Sequence, residues 1–134
     1  MATFKLEVIT PLKKVLETEV ERVILRTSEG DMGILAKHAP LVAELVIGEM
    51  KIKSEDGTEE RYFVSGGFLE ISRDKTLVLA DEAVNVKDID LEKARKEAEI
   101  AKQKLAKLKE DRDIAVTQKA LESALTKVGM VEGR

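Results

Sequence analysis

Cysteine and tryptophan are absent from this chain, histidine occurs once and proline twice. Without cysteine there is no disulfide framework and no thiol nucleophile, which fits a reducing compartment and makes a cytosolic setting the default. No run approaches the roughly 20 apolar residues of a membrane span. Met1 to Thr10 also lacks a basic segment leading into a long apolar core, so the chain is expected to be neither secreted nor inserted. With one histidine, no nucleophile motif and no metal-ligand spacing among the carboxylates, the inventory for catalysis is empty. The reading is a non-enzyme with no catalytic residue and no metal. Charge of one sign is missing too: 37% of residues are charged, yet the net charge is only −3, so neither nucleic acid nor an acidic membrane surface is attracted.

What is present divides sharply. The 134 residues, 43% of them apolar, suffice for one ordinary domain plus an appendage. The aromatics Phe4, Tyr62, Phe63 and Phe68, both prolines (Pro11, Pro40) and every glycine except Gly129 and Gly133 precede Ala83–Lys87, after which alanine, lysine and glutamate dominate. This predicts a β-rich body over residues 1–84 and a helical hairpin over 85–134.

In the body, Phe4, Leu6 and Val8 alternate with Lys5 and Glu7, the period of a half-buried strand. Lys13 to Thr27 reads as one long bent strand or two short ones. Gly30 to Gly33 is predicted to form a tight corner with unusual backbone angles, after which Ile34 and Leu35 tuck inward and Ala36–Pro40 continues as an exposed loop. Two further strands follow around a turn at Gly48, and Asp56-Gly57 marks a hairpin. Tyr62–Val64 is the return strand, and Ser65-Gly66-Gly67 is a bulge or corner where a strand changes sheet. Phe68–Ser72 and Thr76–Ala80 form a last hairpin. The fold class is α+β: an antiparallel β-sandwich of about eight to ten strands, then an antiparallel two-helix hairpin.

In the tail, no glycine or proline interrupts Asp90 to Val128. Leu91, Ala94, Ala98, Ala101, Leu105 and Leu108 fall on one helical stripe, and Ile114, Leu121, Ala124 and Val128 on a second. Asp88 and Asp90 are both capable caps, and Lys102, Lys104, Lys107 and Lys109 complement the dipole at the other end. The charged cluster between the stripes predicts a hairpin, but a continuous helix of about 39 residues, roughly 58 Å long, is sterically allowed as well. The alanine seam allows close approach and holds weakly, since a buried methyl contributes only about 0.8 kcal/mol against roughly 1.5–3 for a leucine.

Three features invite a functional reading. His38 sits in a Gly/Pro-bounded loop, either as a solvent-facing histidine or as an interface contact. Gly66-Gly67 lacks the following helix or lysine of a phosphate loop and is read as a structural corner. Lys107, Lys109, Arg112 and Lys119 either solvate the tail or dock it on an acidic partner.

Gly30-Asp31-Met32-Gly33-Ile34-Leu35, followed by Lys37-His38-Ala39-Pro40-Leu41 and Gly48, resembles the G-x-x-G-I-L-P-x-H-x-P-L…G segment of the epsilon subunits of F-type ATP synthases. Tyr62 to Ile71 and Leu79-Ala80-Asp81-Glu82-Ala83 are similar to that family's second signature. The resemblance covers nearly the whole chain and implies a non-catalytic rotor subunit of the central stalk at the cytoplasmic face of the bacterial plasma membrane. It would couple proton or sodium flow to ATP synthesis. It implies that the sandwich binds the gamma subunit and the c-subunit ring, with Asp31, Met32, His38 and Pro40 at that interface. The hairpin would extend along gamma toward the alpha and beta subunits, through Lys107, Lys109, Arg112 and Lys119, and brake ATP hydrolysis.

Two positions depart from the family pattern. Ala36 stands where proline often precedes the loop histidine. Ile89-Asp90-Leu91-Glu92-Lys93-Ala94 resembles the I/L-D-x-x-R-A motif by which some relatives bind regulatory ATP, so Ile89, Asp90, Lys93 and Ala94 are the candidate nucleotide contacts. Lys93, however, lacks the planar fork of arginine, and no arginine lies between Ile114 and Val128. Weak or absent ATP binding is therefore expected. The rival readings are a stand-alone nucleotide sensor built on Asp90 and Lys93, and a generic helical interaction module.

Overall fold

The computed structural model describes residues 2–107 and 111–133. Its strands are β1 (Phe4–Ile9), β2 (Lys14–Thr27), β3 (Gly30–Leu35), β4 (Leu41–Leu45), β5 (Gly48–Ser54), β6 (Glu59–Ile71) and β7 (Lys75–Asn85). After a 3-10 turn at Val86–Asp88 come α1 (Leu91–Leu105) and α2 (Asp111–Glu132). The chain divides into two compact units between Asn85 and Val86.

Alternating apolar residues build the first unit. Leu6 and Val8 of β1 and Val20 and Val23 of β2 are fully buried, joined by Leu25, Ile34, Met50, Leu69 and Val78 in one core. The strands close on themselves: β1 runs antiparallel to β2 and parallel to β7, and the ladder continues from β7 to β6, β5 and back to β2. β3 is added along β2, and β4 along β6. Closure removes most of the exposed edge that an open sheet would leave.

β4 and β5 lie end to end along β6 in one unbroken register, Leu41 opposite Ile71 at one end and Lys53 opposite Glu59 at the other. The gap between them falls opposite Ser65 and Gly66 on β6. Gly66 and Gly67 have φ of 63° and 109°, and a Cβ on Gly67 would sit 1.9 Å from the Leu79 carbonyl oxygen. The special backbone expected at these glycines is present, but it is no bulge, since the register against β7 does not slip. The segment joins Tyr62–Val64 and Phe68–Ile71 into a single strand, and β2 is likewise one strand, with a register shift against β5 between Val20 and Arg22. The described residues therefore form seven strands, fewer than the eight to ten expected, because bent strands were counted as two.

Two local expectations are corrected. Of the Gly30–Gly33 corner, Gly30 alone takes a left-handed φ, of 114°; Gly33 is an ordinary strand residue opposite Ile24. Ile34 is buried, but Leu35 points outward at 59% exposure, as strand alternation requires.

In the second unit the Asp90 carboxylate accepts from the Lys93 backbone N–H at 3.1 Å, so Asp90 rather than Asp88 caps α1. α1 ends at Leu105 and α2 begins at Asp111, which makes the tail a hairpin and not a single rod. The two helices pack on each other, and an Arg95–Glu132 ion pair joins the start of α1 to the end of α2, so they run antiparallel. The buried residues of α1 are Ala94, Ala98 and Ala101; α2 buries Ala124 and Met130. α2 continues through Gly129, past the end expected at Val128.

Candidate functional site

The segment from Arg26 to Pro40 is held by short polar braces. Thr27 Oγ1 donates to the Gly30 carbonyl at 2.7 Å and accepts from the Glu29 N–H at 3.2 Å, which fixes the turn into β3. Arg26, opposite Asp31 in the ladder, reaches its carboxylate at 3.4 Å. The stem of Arg26 lies across Gly48, where a Cβ would come within 2.8 Å of the arginine Cβ. Gly48 is thus required for close packing, a role that its reading as a turn missed.

Past the far end of β3, Lys37 adopts φ of 67°, a left-handed conformation uncommon outside glycine. The His38 N–H donates to the Leu35 carbonyl at 3.3 Å, and the ring Nδ1 lies 2.8 Å from the Ala39 carbonyl oxygen. A carbonyl can only accept, so Nδ1 carries the proton and Nε2 faces away from that bond. Asp31 and Met32 therefore sit beside the β2–β3 turn, whereas His38 and Pro40 lie beyond the other end of β3. At about 3.3 Å per residue, Asp31 and Met32 lie roughly 10–13 Å from the end of the strand beyond which His38 and Pro40 follow. The four residues belong to one hairpin arm and do not converge on one point.

Charged pairs on the sandwich are braces. Glu7 is buried between Lys14 at 3.0 Å and Lys75 at 3.1 Å, and their hydrogen bonds lower its carboxyl to about 2. Arg61 grips Glu49 with two bonds of 2.9 and 2.8 Å across β5 and β6 and holds that carboxyl below its ordinary range.

On the tail, Asp90 is engaged as the cap, Ala94 is 2% exposed, Ile89 is half-buried and Lys93 is exposed. Lys107, Arg112 and Lys119 are exposed, while Lys109 lies outside the described residues. Among the described residues no cluster of histidine, cysteine, aspartate or glutamate has the geometry of a metal site, and no helix is long and apolar enough to cross a membrane.

Residues 3–86 match the family described as ATP synthase, Delta/Epsilon chain, beta-sandwich domain. The chain is 70% identical over 132 residues to the ATP synthase epsilon chain, sodium ion specific, of Propionigenium modestum, covering 98% of this chain and 96% of that one. The chain belongs to the ATP synthase epsilon-chain family. The epsilon chain of Shouchella clausii is 42% identical over 98% of this chain and 97% of its own length. A chain of the Euglena gracilis mitochondrial ATP synthase (OSCP/F1/c-ring, rotational state 1) superposes with a TM-score of 0.81 at 29% identity, over 94% of this chain and 79% of that one. As an epsilon-family member it is a non-catalytic subunit of ATP synthase.

Proposed function

We propose that this epsilon-family subunit is part of the central stalk, with its sandwich seated on gamma and the c ring and its hairpin acting as a brake on ATP hydrolysis. The observation that carries the brake is the buried face of α1, which consists of three alanines. Small side chains give close approach with little buried apolar area, so the two helices can part and take other partners at low cost. In this reading Asp31, Met32, His38 and Pro40 face gamma and the c ring, and Lys107, Lys109, Arg112 and Lys119 meet the alpha and beta subunits. The subunit is peripheral, at the cytoplasmic face of the bacterial plasma membrane.

The coupling ion in this reading is sodium, supported by the 70% identical relative whose epsilon chain is named sodium ion specific. Regulatory ATP has no part in it, because the Asp90 carboxylate already holds the Lys93 amide and Ala94 is buried. The test is ATPase activity of the reconstituted complex with the full chain and with a chain ending at Val86. Faster hydrolysis without the hairpin is expected; an unchanged rate overturns the brake. Hydrolysis independent of sodium concentration overturns the choice of ion.

A further inference from the structure

One end of the sandwich carries a cleft of which the rotor reading uses His38 alone. The β3–β4 loop contributes Lys37 and His38, the β6–β7 turn contributes Arg73, and β7 begins with Lys75; Phe4 and Leu35 form its apolar wall. Its enclosed volume is about 30 Å³, the scale of one small polyatomic group. Among the described residues neither Lys37 nor Arg73 has a carboxylate partner, and Asp74, between Arg73 and Lys75, pairs with neither. Lys75 is paired with Glu7, and Lys14 with both Glu7 and Glu17, so that group is balanced and the uncompensated charges at the cleft are Lys37 and Arg73. In a chain with 26 acidic residues against 23 basic ones, such an unneutralised convergence is not a consequence of composition. Like charges brought together repel unless an anion joins them.

We propose that this cleft binds a phosphate-class anion, with Arg73 and Lys37 donating to its oxygens. A tetrahedral oxyanion presents enough acceptors for two cationic side chains arriving from different elements, and arginine grips two of its oxygens at once. The source is either a soluble phosphate or a phospholipid headgroup, and the same chemistry serves both.

The test uses the full chain at low ionic strength, with amide chemical shifts followed as inorganic phosphate is added. Saturable shifts confined to residues 35–38 and 72–76 are expected, with affinity lowered at least about tenfold in Lys37→Gln/Arg73→Gln. Both residues are exposed, and thermal unfolding verifies that the variant is folded. Flotation with vesicles of phosphatidylglycerol against phosphatidylcholine separates the sources: binding to the first alone, lost in the variant, assigns a headgroup, and phosphate shifts without flotation assign a soluble ligand. Neither response, responses that survive in the variant, or equal shifts from glutamate at the same ionic strength overturn the proposal. Because the readout lies in the sandwich, it is independent of the hairpin's behaviour in the complex.

Discussion

Arg95, in the second turn of α1, is ion-paired with Glu132 in the last turn of α2, 37 residues further along the chain. The pair closes the open end of a hairpin whose loop lies at the other end. Since the α1 side of the seam between buries only alanines, this polar clasp is a larger share of the hairpin's cohesion than a surface pair normally is.

The Arg95 side chain is 55% exposed, so solvent screens the pair and its coupling is expected to be about 0.5 kcal/mol. A double-mutant cycle with Arg95→Ala and Glu132→Ala, read by hydrogen exchange of α1 and α2 amides, measures it. Strictly additive single variants would show the clasp to be inert.

Ala98 and Ala101 are 6% and 4% exposed. Leucine at both positions has no room and should overpack the seam, loosening the hairpin by about 1–3 kcal/mol while leaving the sandwich's amides protected. If the hairpin is a brake, the same variant slows hydrolysis by the complex; faster or unchanged hydrolysis counts against a switch.

Removing the cap of α1 by Asp90→Ala leaves the Lys93 amide without its acceptor. A loss of about 1 kcal/mol in α1 is expected, visible as faster exchange in the first turn. Substituting Asp88, which lies in the preceding 3-10 turn, should not reproduce it.

Gly67→Ala would drive a methyl into the Leu79 carbonyl at a left-handed φ. The sandwich should lose more than about 3 kcal/mol in urea unfolding. Gly33→Ala is the control: its added methyl meets nothing within 4 Å, and the change should stay within about 0.5 kcal/mol.

Glu7 titrates at about 2 in the folded chain, below its ordinary 4.5, because Lys14 and Lys75 hydrogen-bond to its charged form. A depressed carboxyl pKa contributes stability that is complete above the unfolded value and is lost as pH falls through the folded one. Melting temperature should thus fall as pH drops from 4.5 toward 2, with Glu49, also held low by Arg61, adding in the same direction. Glu7→Gln should flatten part of that decline. An unaltered pH profile in the variant would remove Glu7 from the account.

Much of this was legible along the chain because the signals are local. Period-two alternation in Phe4–Val8, the Asp56-Gly57 turn and the three-and-four spacing of the tail alanines each depend on neighbours a few residues away. Strand number was not, because Gly66-Gly67 looks the same whether it ends a strand or bends one. The answer lay in the Leu79 carbonyl and in the gap between β4 and β5, both distant in sequence. Gly48 was misread for the same reason: the side chain that needs its bare Cα is Arg26, on another strand.

From sequence alone came the division into a β body and an α tail, the alanine face of the first tail helix, the family signatures and the empty catalytic inventory, all of them properties of residue type and spacing. Tertiary structure alone decided that β3 holds Asp31 and His38 apart and that Lys37, Arg73 and Lys75 share a cleft, and it chose the hairpin, which the charged cluster predicts, over the single rod that the sequence also allows. The physical reason is that helix propensity is satisfied equally by one helix or two and charge pattern says nothing about what lies across a strand. Those choices rest on contacts between residues far apart in the chain, which exist only once the backbone has closed.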